Sequence, residues 1–105
     1  MSIVAEIGEG MMEAVLRTSQ DLRAKSYEEL AKLPERDTRI IIILDKPVHL
    51  TVHLASRDTN ELLVVVQAMR DLWFGITTQI RVEGFIARAN GEKLKAPETL
   101  LWDYT

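Results

Sequence analysis

The chain has 105 residues, 47% apolar and 28% charged, which is the mixture of one folded core and excludes a disordered chain. Residues 1–52 hold 7 basic and 9 acidic side chains and residues 53–105 hold 6 and 7, for a net charge of −3, so neither half is the basic footprint of a nucleic-acid binder. There is no cysteine, which removes disulfides and thiolate metal sites, and no apolar run approaches the roughly 20 residues of a membrane span.

Glu6, Glu9 and Glu13 stand where a signal peptide carries basic residues, so the expected compartment is the cytoplasm. From Glu9 onward Met11, Met12, Val15, Leu16, Ser19 and Leu22 recur at three-four spacing, the mark of an amphipathic helix. Gly8 and Gly10 each weaken a helix by about 1 kcal/mol against alanine, so the start is expected near Glu9. Ser26-Tyr27-Glu28-Glu29 is a capping box that opens a short second helix, ended by Pro34. The helical part thus covers about residues 9–33.

A sheet part follows, over about residues 38–96. Ile40-Ile41-Ile42-Ile43-Leu44 reads as a strand covered on both faces, because β-branched residues suit a pleated surface and the run does not alternate. Asp45-Lys46-Pro47 reads as a turn. Val48 to Leu54 alternates strictly, with Val48, Leu50, Val52 and Leu54 facing the core. Residues 56–60 read as a polar loop and Leu62–Met69 as the next strand. Asp71-Leu72-Trp73-Phe74-Gly75 is a connection with unusual apolar bulk. Ile76–Arg88 is a long strand, with Gly84 expected at a bulge. Asn90-Gly91 predicts a hairpin into a short strand, and residues 97–105 form a tail ending in Trp102 and Tyr104. The expected fold class is therefore α+β: an N-terminal helix and a short second helix on one face of a four- to five-stranded, mainly antiparallel sheet, all in one domain over 1–105.

The helices cover one face of the sheet only. Ile41, Ile43, Leu63, Val65 and Phe85 are expected on the other face, with His49, Thr51, His53, Gln67, Gln79, Arg81 and Glu83 around them. In a plain meander the isoleucine strand is also a sheet edge, a position where long apolar strands invite pairing with another chain. Three arrangements would cover it: pairing with the tail, a strand order other than a meander, or a second subunit.

The chemistry-bearing candidates are few. His49, His53 and Glu83 are the candidates for acid–base work, with Arg81 and Gln79 to hold a ligand. The two histidines lie about 13 Å apart along a strand, too far to share an ion, so no metal or cofactor is expected. Ile41, Ile43, Leu63, Val65, Trp73, Phe74, Phe85 and Trp102 are the candidate interface residues, since an apolar centre with a polar rim suits a protein contact. The expected function is a non-enzymatic binding or assembly module that homodimerises through its sheet, with a further protein partner open and neither nucleic acid nor membrane as partner. The alternative is a small-ligand binder or modest acid–base enzyme on the open sheet face.

Overall fold

The computed structural model describes residues 2–72 and 75–105, so Trp73 and Phe74 lie outside the described residues. Helix α1 runs over Ile3–Arg23, earlier than its glycines suggest, because Ser2 caps it through a bond from the Val4 amide to Ser2 Oγ. The glycines sit where side chains of the sheet press against the helix. A Cβ on Gly8 would stand 2.6 Å from Arg81 Nη2, and one on Gly10 2.8 Å from Ile43 Cγ2. Close approach outweighs helix propensity there. Helix α2 covers Tyr27–Ala31 and has both hydrogen bonds of the Ser26/Glu29 capping box. The backbone and side-chain bonds from Ser26 hold the Glu29 carboxyl below the usual glutamate range.

The strands are β1 (Arg36–Ile43), β2 (Lys46–Asp58), β3 (Glu61–Leu72), β4 (Thr77–Arg88) and β5 (Lys93–Lys95). They form an antiparallel sheet in the order β1-β2-β3-β4-β5, a plain meander. A short helix α3 (Glu98–Leu101) and a 3₁₀ turn (Trp102–Tyr104) follow.

Two turns differ from expectation. The first hairpin closes between Ile43 and Lys46, with Leu44 (φ 48°) and Asp45 (φ 65°) both left-handed, one residue earlier than Asp45-Lys46-Pro47 implies. Two positive φ values match the right-handed twist of the flanking strands. The second hairpin needs only Thr59 and Asn60, because β2 continues to Asp58 past a register shift between Ser56 and Asp58. Gly84 is no bulge: β3 and β4 pair without a break from Glu61↔Arg88 to Leu72↔Thr77.

The core has two layers, one on each side of the sheet. On the helix side Ile7, Met11, Val15 and Leu22 pack on Val48, Leu50, Val64, Val66 and Phe85. On the opposite side Leu63, Val65 and Ile86 are covered by Ala96, Leu100, Leu101 and Tyr104, so the tail is a lid over half of that face. Among the described residues no helix is long and apolar enough to cross a membrane.

The face assignments of two strands are reversed. Ile41 and Ile43 pack against the helix-side core and Phe85 is inside it, with the Arg23 guanidinium 5.2 Å above its ring. Ile40 and Ile42 therefore point to the other face. Gln79, Arg81 and Glu83 share the side of Phe85 on β4 and lie on the helix side, whereas Ile80, Val82 and Ile86 point away from α1.

Candidate binding surface

The face away from α1 is best followed in rows across the strands, since cross-strand partners share a face. One row is Ala55, Leu63, Ile86 and Leu94; the next is Arg36, His53, Val65 and Gly84. The tail lies on these two. The following row is Thr38, Thr51, Gln67 and Val82, and beyond it come Ile40, His49, Met69 and Ile80. That last row is only partly covered: Met69 and Ile80 are half-buried, and Ile40 and His49 are exposed. Ile40 is 62% exposed, Ile42 beside it 65%, and Leu44 at the turn 52%.

A polar seam marks the border between the covered and bare halves. The Gln67 side-chain amide donates to the Tyr104 carbonyl, so its Oε1 is left to accept from His53 Nε2 at 3.1 Å. That arrangement places a proton on His53 Nε2. The Tyr104 ring lies against His53, centroids 4.8 Å apart and tilted by 51°. Thr38 Oγ1 and Thr51 Oγ1 hydrogen-bond at 2.9 Å in the next position along the seam.

The acid–base candidates do not converge. His49 and His53 lie on the tail side, and Glu83, Arg81 and Gln79 on the helix side, with the thickness of the sheet between them. Each polar group on the helix side already has a structural task. Gln79 Nε2 donates to the Val4 carbonyl at 2.9 Å and its Oε1 accepts from Arg70 Nε at 2.8 Å, which ties the start of α1 to β4. Among the described residues no three His, Asp or Glu side chains gather around one point. A depression of about 700 Å³ between the β2–β3 and β4–β5 turns is lined by Asp58, Glu61, Arg88 and Asn90. Its arginine is engaged: Arg88 Nε donates to Glu61 Oε2 at 2.8 Å, and that bond holds the guanidinium above its usual range.

The predicted interface residues divide similarly. Ile41, Ile43 and Phe85 belong to the helix-side core, Leu63 and Val65 are buried beneath the tail, and Trp102 is 67% exposed. Ile40 and Ile42, not Ile41 and Ile43, stand on the tail-side face, and Leu101 and Tyr104 join the cover there.

The two sheet edges are built differently. The Leu54 amide donates to the Glu35 carbonyl at 2.8 Å, which makes this pair hydrogen-bonded and fixes the alternation along β1. Asp37, Arg39, Ile41 and Ile43 then direct their backbone groups to β2, and Arg36, Thr38, Ile40 and Ile42 direct theirs outward. On the far edge β5 covers β4 only at Phe85, Ile86 and Ala87. The Ala96 amide bonds the Gly84 carbonyl, so Thr78, Ile80 and Val82 present their backbone groups to that edge. Side chains occupy part of it. Arg81 Nη1 donates to the Ile80 carbonyl at 2.8 Å, and Glu83 Oε1 accepts from the Gly84 amide at 3.1 Å. No comparable side-chain bond lies along β1 among the described residues.

No known protein-family model matches this chain, and neither a curated protein nor a solved structure shows significant similarity to it.

Proposed function

We propose that this chain is a non-enzymatic assembly module of the cytoplasm that homodimerises through its sheet. One observation carries the reading: Ile40 and Ile42 are 62% and 65% exposed on the edge strand of a plain meander. An exposed apolar edge is a pairing template that folded chains otherwise blunt. Burying each isoleucine is worth on the order of 1–2 kcal/mol. Of the three arrangements that would cover this edge, the meander order removes one and the docking of the tail on the face removes another. The third, a second subunit, is the one we propose. The balanced charge supports a protein partner over nucleic acid.

The alternative of a ligand site with acid–base chemistry has less support, because it needs His49, His53, Arg81 and Glu83 on one face. The test is the double variant Ile40→Asp/Ile42→Asp in sedimentation velocity. Both side chains are exposed, so the variant keeps its circular dichroism and sediments as a monomer. A folded variant that still sediments as a dimer removes β1 from the contact.

A further inference from the structure

Resting on that reading, we infer that the second copy pairs antiparallel along β1 about a two-fold axis at Thr38, and so continues the sheet from one chain into the next. Three observations lead there. The β1 edge directs the backbone groups of Arg36, Thr38, Ile40 and Ile42 outward with no side chain bonded to them among the described residues, whereas at the β4 edge Arg81 bonds the Ile80 carbonyl and Glu83 the Gly84 amide. Hydrogen bonding requires outward residues to meet outward residues, which restricts the axis to Thr38, Arg39, Ile40 or Ile41 if most of the strand is to pair. Charge separates these. An axis at Arg39 opposes two arginines, one at Ile40 sets Asp37 and Arg39 opposite isoleucines, and one at Ile41 sets Arg39 opposite Ile43 and leaves Asp37 outside the paired stretch. An axis at Thr38 sets Asp37 opposite Arg39 of the second copy, twice over.

That axis pairs residues 36–40 and sets Ile42 beyond them, opposite Pro34 of the second copy. Arg36 falls opposite Ile40 of the second copy, where its alkyl stem covers the isoleucine and its charged head stays in water. The two Thr38 hydroxyls meet at the axis and extend the existing Thr38–Thr51 bond into a hydroxyl ladder across both chains. β1 is thus complementary to itself in backbone and in charge, which is why the occupant is a second copy.

A charge swap tests this. Asp37→Arg alone, or Arg39→Asp alone, opposes like charges twice and weakens dimerisation about tenfold or more. The double variant Asp37→Arg/Arg39→Asp restores opposite charges and recovers the wild-type dissociation constant. Asp37 and Arg39 are both exposed, so folding is unaffected. The chain lacks cysteine, so Thr38→Cys supplies one thiol per chain and forms a disulfide-linked dimer on oxidation, while Thr78→Cys on the opposite edge does not. A dimer that ignores the swap, or that links through Thr78→Cys, overturns the β1 pairing and leaves dimerisation standing. A wild-type chain monomeric at every concentration overturns both.

Discussion

Leu101 Cδ2 lies 2.7 Å from the place a Cβ on Gly84 would occupy. The glycine in the middle of β4 is the seat of the tail: its missing side chain lets α3 settle on Val65 and Ile86. On the other side of the same position stands the Val64 carbonyl, 3.1 Å away, so an added methyl has no easy escape.

Gly84→Ala is therefore expected to lift the tail, at a cost of about 1–3 kcal/mol for overpacking. Hydrogen exchange reads the effect directly: amides of residues 98–105 lose protection while those of β2 and β3 keep theirs. Unchanged protection of the tail would mean that Leu101 simply turns aside.

Ser19 offers the opposite sign. It lies on the sheet-facing side of α1, only 2% exposed, and its hydroxyl has no hydrogen-bond partner among the described residues. Ser19→Ala removes an unsatisfied buried group and improves helix propensity, so it should stabilise the fold by about 1 kcal/mol. A melting temperature raised by roughly 4–8 °C is the expected readout. A fall would mean that the hydroxyl is bonded after all.

The first hairpin places Leu44 at φ 48°, a conformation that costs a residue with a side chain about 1–2 kcal/mol. Replacing Leu44-Asp45 with Asn-Gly relieves both left-handed positions and raises the denaturant midpoint. No gain would show that Leu44 contributes packing that offsets its backbone strain.

At the capping box the pH dependence has a definite sign. The folded-state pKa of Glu29 is lowered by its bonds with Ser26, so its contribution is present above the ordinary glutamate range and is lost as pH falls through the folded value. Glu29→Ala should be less stable than the wild type at neutral pH, and the difference should shrink on acidification below that range. A difference independent of pH would remove the carboxylate from the account.

Where the pattern alternates, residues predict their own faces. Val48, Leu50, Val52 and Leu54 all pack on the helix side as their spacing implies. The isoleucine run has no alternation, so its sidedness depends on the turn alone. Placing that turn one residue late, on Asp45-Lys46-Pro47, exchanges Ile41 and Ile43 with Ile40 and Ile42. On β4 the alternation is correct but its parity is not, because polarity is a poor guide where Gly8 leaves room for Gln79 and Arg81 beneath α1. The candidate acid–base set fails for the same reason: its members share polarity, but the register assigns them to opposite sides. The tail's seat was visible only as Gly84, whose meaning depends on a partner 17 residues further along, at Leu101.

The mass in solution tests the central claim most directly. Light scattering of the wild-type chain across a tenfold dilution should return twice the chain mass of 12.0 kDa, with Ile40→Asp/Ile42→Asp returning 12.0 kDa while folded. A wild-type chain that remains at 12.0 kDa throughout would contradict it, and exposed Ile40 and Ile42 would then be a surface for some other molecule.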